Sequence, residues 1–580
     1  MAERARIAFG ALALLAAAGQ ANAAKCGTAR IFEEGRRPQG GFYSGIPGRI
    51  AALDLRARTL ESRNFRIHYS LRGLHKVRTG PEDAELSGTA DSLYSFFGNL
   101  PEARRDSAVY AGLDSAGAPH PAYIEKVREE MEAAWAYYVE TLGMHPPASE
   151  IRSMWYVVPV SPIRKFPIDV VDIGTADRFF GGGTYGVTYP PGDLSITIEN
   201  DFLHSTRLEG GKIVGTPIRS EAGGSIIHDY AAEWPLGVKV TAVHEFYHAI
   251  QFTYVPWVAG YHPWYEMSAT GMEERLAGEV DDYLQYLPCI LKFHDRTPLF
   301  APSSGPCGHN PAYGHGIFHQ YLSAALDSSF DVKVWERLGQ NGDALSDALE
   351  TAFAAYGRSM ADLYPDFAVG LFYSGGRFPP PEPLFSPDMP RWPEISYDSV
   401  DLGSGDALRP IYLPALTFGV LKVKWGPNAA AASLLTRNLA GVRRIHAGPD
   451  TTVVERLSES RISLRAPRPG FGEYFLILPN ADYSAVASAE LAGTEFRAFP
   501  NPVRAGGPGP LFFSQAEDMA FPARVRIYGE DGRLIRDLTF ANPDGPLAWD
   551  LRDERDMAVR SGLYYYRMAQ GKLKVLVVLP

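Results

Sequence analysis

The pentapeptide His244-Glu245-Phe246-Tyr247-His248 carries two imidazoles separated by one helical turn. On a helix, histidines at i and i+4 stand on the same face, where both can reach a single metal ion. Glu245 then points about 100° around the helix, beside a water on that ion, where it can take the water's proton. The chemistry implied is metal-assisted hydrolysis, with zinc as the expected ion. The stretch from Thr241 to Ile250 has no charge except Glu245 and no Pro or Gly. Burying a lone carboxylate in so apolar a helix is costly without a purpose.

A catalytic zinc takes three protein ligands and keeps one position open for water. The pattern after the pentapeptide predicts a second helix over 263–276. Pro256, Gly260 and Pro263 break the first helix and let the chain turn back. Glu266, in the first turn of that second helix and flanked by small and apolar residues, is the expected third ligand beside His244 and His248. Glu273 and Glu274 follow about two turns on. An opening helix is predicted over 122–142, where Ile124, Val127, Met131, Trp135, Tyr138 and Leu142 recur at spacings of three and four. Residues 155–160 read as a buried strand. Residues 184–189 and 195–199 read as a hairpin around Pro190-Pro191-Gly192. A further helix over 313–325 shows an apolar stripe of Ile317, Phe318, Tyr321, Leu322 and Ala325.

The order H-E-x-x-H, then an aromatic-x-Glu-x-Ser helix, resembles the gluzincin metallopeptidases, and more closely a family of secreted bacterial metalloproteases with β-rich tails. Residues 65–70, 114–121, 122–143 and 312–322 fit that family's early strand, opening loop and helix, and third helix. The resemblance spans roughly residues 60 to 375. It implies a zincin-like catalytic domain, Zn²⁺ held by His244, His248 and Glu266, Glu245 as general base, and Tyr313 or His315 as a donor to the oxyanion. It also makes the 184–199 hairpin the natural edge for a peptide to join as an extra strand. His319 reads as structural. The chain departs from the family at three places. His120 stands where an acid is usual, which puts a cation site there in doubt. Met267 replaces a usual Gly. Thr270 stands where an acid often orients a zinc histidine, so Glu273 is the expected partner of His244.

The whole chain sets wider bounds. Its 580 residues, 46% of them hydrophobic and 21% charged, are ordinary globular material for three or four domains. A net charge of −11 argues against a nucleic-acid partner. Arg4 and Arg6, the apolar run 7–18 and Ala21-Asn22-Ala23 read as a signal peptide over 1–23. No transmembrane segment is expected in the mature chain, which is placed outside the cytoplasm, secreted or at the cell surface. Of three cysteines, Cys289 and Cys307 bracket a Pro-rich loop and are expected to pair, leaving Cys26.

The expected organisation is an N-terminal region at 24–113, open to reading as a pro-segment, then the catalytic domain at 114–378 and a Pro-rich linker at 379–395. An all-β sandwich at 396–495 and a second one at 496–580 follow. The fold class is thus an α+β zincin-like domain followed by two all-β, immunoglobulin-like domains. The last block, with Phe499-Pro500-Asn501-Pro502, an Asp531-Gly532 turn and Gly562-Leu563-Tyr564, resembles flagellar-hook-cap-like immunoglobulin folds and type IX secretion sorting domains. That implies export and a contact with secretion machinery. The expected activity is zinc-dependent endopeptidase action on a protein or peptide. The alternatives are a surface protein whose zincin-like domain binds without turnover, and a zinc hydrolase of a non-peptide substrate.

Overall fold

The computed structural model describes Cys26, Thr28 and the chain from residue 57, apart from 148–150, 154–155, 159–164, 177–182, 190–193, 210–211, 256–257, 301–305, 308–310, 402–409, 425–431, 459, 465–470, 493–497, 506–509, 514–521, 542–546 and 569–572. The signal-peptide expectation over 1–23 and the hairpin's Pro190-Pro191-Gly192 tip lie outside the described residues. Helices and several sheets make this an α+β chain. It divides into two compact units, the first formed by residues up to Ile290 with Phe300–Gly357, the second by Leu291–Leu299 with Arg358–Pro580.

In the first unit, five strands form one sheet: β1 (Arg58–Glu61), β2 (Phe65–Tyr69), β3 (Phe166–Val171), β4 (Gly186–Thr188) and β5 (Ile196–Glu199), in the order β1-β2-β3-β5-β4. β2, β3 and β5 run parallel, while β4 lies antiparallel to β5 with Gly186 opposite Ile198. The expected hairpin is therefore present, and β4 is an edge strand. β3 escaped the sequence reading because Pro167 and Asp169 interrupt its apolar run. The sheet also needs residues 58–69, which the sequence reading had set apart from a domain starting at 114.

Helix α1 (Ala122–Trp135) continues through a wider turn over Ala136–Thr141, covering the predicted opening helix. Helix α2 (Trp234–Tyr254) starts on Trp234-Pro235, a position where proline's missing N–H costs nothing. Every residue from Val240 to Phe252 on it is buried, because the sheet, α1 and later helices cover all its faces. Phe246 shows how the two unreactive residues of the pentapeptide anchor it. Its ring lies 5.3 Å from Phe65 on β2, 6.1 Å from Phe166 on β3 and 5.7 Å from Trp135 on α1. Truncating such a ring typically costs roughly 3–5 kcal/mol. The Tyr247 hydroxyl donates to the Asp331 carboxylate.

After α2 the chain turns through Ala259–Tyr261 into α3 (His262–Leu276), and α4 (Gly316–Ala325) crosses α3 closely. A Cβ at Gly271 would stand 2.2 Å from the His319 ring, and one at Gly316 2.9 Å from Thr270 Cγ2, so only glycines allow this approach. His319 packs by Trp264 and Phe330, with Nε2 3.3 Å from Asp331 Oδ2. It ties α4 to the start of α5 (Phe330–Asn341), the structural part expected of it. Cys289 and Cys307 are joined in a disulfide.

In the second unit, a five-stranded and a four-stranded sheet enclose one apolar core that includes Leu421, Leu434, Tyr474, Leu476 and Leu478. Two further sheets, from residues after 497, enclose another around Trp549, Val525, Ile527 and Leu576. The helix Met360–Phe372, which the sequence reading kept within 114–378, belongs to this unit and sets Phe372 4.9 Å from Phe475.

Candidate metal centre

α2 brings His244 and His248 onto one face, and α3 brings Glu266 against them. The two Nε2 atoms are 3.0 Å apart, and Glu266 Oε2 lies 3.3 Å from the first and 3.5 Å from the second. All three side chains are fully buried. α3 begins at His262, one residue before the predicted start, so Glu266 lies beyond the first turn and is set by packing rather than by the helix terminus.

Each imidazole is fixed from behind. His244 Nδ1 lies 2.6 Å from Glu273 Oε1, the partner expected from the sequence. Seven residues separate Glu273 from Glu266, which returns it to the same face of α3. His248 Nδ1 lies 2.7 Å from Gln251 Oε1. The Gln251 amide is oriented because its Nε2 donates to the Tyr265 carbonyl and to Ser268 Oγ, both at 3.0 Å. Both Nδ1 atoms therefore donate, and in the neutral rings both Nε2 lone pairs face each other and the Glu266 carboxylate. Three electron-rich atoms so close together favour a positive charge among them, a proton or a metal ion.

Two further observations agree. Both Glu266 oxygens are buried without a hydrogen-bond partner among the described residues. Burial alone lowers the His244 pKa, but the Glu266 and Glu273 carboxylates outweigh it and push the imidazole up to about 9. Burial likewise raises Glu266, and His248 with His244 outweighs it, holding the carboxyl well below its usual range. The site thus stabilises positive charge, and this donor set could hold a metal ion.

Glu245 is buried beside β4. Its Oε2 accepts from Thr188 Oγ1 at 2.7 Å and from Thr28 Oγ1 at 3.3 Å. A Cβ at Gly186 would stand 2.6 Å from Glu245 Cγ and 2.7 Å from Thr241 Cγ2, so the edge strand lies directly on the helix. Tyr313 is buried with its ring 6.0 Å from that of His244, and its hydroxyl has no hydrogen-bond partner among the described residues. Burial, then the Glu266 charge, pushes its pKa well above the usual range, so it stays a proton donor. His315 is buried just before α4, and the group of ligand atoms lying within 4.8 Å of one another does not include it.

That group does include Cys26, which the sequence reading had left without a role. Thr28, Thr188 and Gln251 were also missed. Gln251 was legible as a polar residue one turn beyond His248 in an apolar helix. His120, where the cation site was in doubt, bonds Tyr69 Oη through Nδ1 at 2.7 Å. The neighbouring carbonyls of Ala118 and Pro119 are taken by Arg58, at 2.6 and 2.7 Å.

No family model matches the chain, and no curated protein is similar to it. Among solved structures, similarity is found to PorZ, a bacterial surface component of the type-IX secretion system of Porphyromonas gingivalis. It is 19% identical over 17% of this chain and 14% of that one, with a TM-score of 0.13. The chain thus matches only a small fraction of PorZ, and a likeness at that score carries no argument. Among the described residues, no helix is long and apolar enough to cross a membrane.

Proposed function

We propose that this chain is an exported zinc-dependent endopeptidase of zincin-like fold, with immunoglobulin-like domains behind it that engage secretion machinery. The observation that carries the catalytic part is the convergence of two Nε2 lone pairs and an unpartnered carboxylate, with Glu245 alongside. His244, His248 and Glu266 would hold the zinc. Zinc bound there supplies a Lewis acid that polarises a peptide carbonyl and acidifies water.

The chain's own groups do the rest. The outer side of β4, away from β5, would bind an extended peptide through its backbone groups and fix the scissile bond over α2. Thr188 Oγ1 holds Glu245 Oε2 in place. Glu245 takes the proton of the attacking water as its oxygen bonds to the carbonyl carbon, then delivers that proton to the departing amine nitrogen. Tyr313 donates its unused hydroxyl to the carbonyl oxygen as that atom gains charge.

Zinc content and casein hydrolysis test this. The chain should hold a single zinc, retained by Glu245→Gln and lost by His244→Ala. Hydrolysis should be lost in Glu245→Gln. A zinc-free wild type, or a Glu245→Gln protein that hydrolyses casein, overturns the reading.

A further inference from the structure

A zinc held by His244, His248 and Glu266 would keep a fourth position, and a thiol lies beside the three ligands. Cys26 is fully buried, and its Sγ lies within 4.8 Å of the ligand atoms of His244, His248 and Glu266. It is held there by the edge strand. The backbone at Cys26 forms a parallel bridge with Gly186 on β4. Two residues on, Thr28 Oγ1 accepts from the Thr188 amide at 2.7 Å and lies 3.1 Å from the Thr188 carbonyl. The same hydroxyl is 3.3 Å from Glu245 Oε2, and the Thr28 amide donates to Cys26 Sγ at 3.3 Å.

These contacts occupy each working part of the centre. The thiol faces the ligand set, Thr28 touches the general base, and the Thr188 backbone groups that a peptide would use are engaged. The buried Glu266 oxygens and Tyr313 hydroxyl, which make no hydrogen bond among the described residues, point independently to a further occupant of the pocket.

We infer that Cys26 is a fourth ligand to the metal and that Cys26 and Thr28 together hold the enzyme latent. The inference rests on a metal binding at His244, His248 and Glu266. A soft thiolate suits zinc, and a thiol bound to it gives up its proton to solvent. With sulfur as fourth donor the centre becomes the closed, four-coordinate kind that has no place for water. Activity then requires Cys26 to leave, by cleavage of the chain beyond it or by chemical blocking of the thiol.

Cys26 is the one cysteine outside the disulfide, so sulfur signals from the metal have a single source. The test loads the full-length chain with Co²⁺ in place of zinc and reads the near-ultraviolet thiolate-to-metal charge-transfer band, metal stoichiometry and thiol reactivity. The wild type should show the band, and its thiol should resist a disulfide reagent until a chelator is added. Cys26→Ser should bind the same amount of metal, lack the band and hydrolyse casein several-fold faster. Metal bound at full stoichiometry with no band and a freely reacting thiol overturns this inference and leaves the zinc reading standing. A chain that binds neither cobalt nor zinc overturns both. The wild-type spectrum decides the matter even if the serine variant fails to fold.

Discussion

At the scale of single residues, the centre depends on groups that touch no substrate. Glu273 holds His244 by a hydrogen bond at 2.6 Å between two buried side chains. Glu273→Gln keeps the shape but loses the charge. It should weaken zinc binding by roughly 10–100-fold, the usual effect of losing a partner behind a ligand histidine. Competition with a chromogenic chelator measures this, and unchanged affinity would remove Glu273 from the centre. Tyr313→Phe should leave zinc content unaltered and lower kcat by about 10²–10³-fold, the typical worth of one oxyanion donor. An unaltered kcat would move that role to another group. What was legible here follows chain distance. His244, Glu245, His248, Glu266 and Glu273 sit on two consecutive helices, so helical spacing alone relates them. Thr28 and Thr188 were invisible because the contacts of Thr28 span 160 and 217 residues and that of Thr188 with Glu245 spans 57, and no periodicity encodes such a meeting.

At the scale of elements, the decisive contact is β4 on α2. The apolar pattern makes both elements readable, but their separation depends on Gly186, whose missing side chain was not a signal in the sequence. Gly186→Val would put a branched side chain against Glu245 Cγ and Thr241 Cγ2, where even a Cβ stands at 2.6 and 2.7 Å. Overpacking of this kind costs about 1–3 kcal/mol. The variant should therefore melt at a lower temperature, keep zinc because α2 and α3 hold the ligands, and lose most of its hydrolysis because Glu245 is displaced. A Gly186→Val protein with wild-type turnover would show that the strand does not set the position of the base. The elements that the sequence hid share a cause. β3 carries Pro167 and Asp169. The hairpins over Leu203–Glu209 with Lys212–Pro217 and Arg219–Ala222 with Ser225–Asp229 expose much of their length, so little apolar patterning marks them.

At the scale of the molecule, the two units should respond differently to metal removal. The first has a fully buried cluster that could hold a metal ion. A ligand that binds only the folded state stabilises it by RT ln(1 + [L]/Kd), about 4 kcal/mol at a thousand times Kd. Chelation should withdraw that contribution from the first unit and leave two histidines and two carboxylates buried together, a costly state. The second unit's cores around Leu476 and Trp549 contain no part of the cluster. Calorimetry with and without EDTA should thus show one melting transition moving down by several degrees and another staying in place. His248→Ala should already melt at the lower position and be indifferent to EDTA, because the ligand set is incomplete before any chelator is added. Glu245→Gln should keep the full EDTA shift, since Glu245 is not a ligand. A wild-type scan insensitive to EDTA, with zinc present at the outset, would mean that the ion lies elsewhere than among His244, His248 and Glu266.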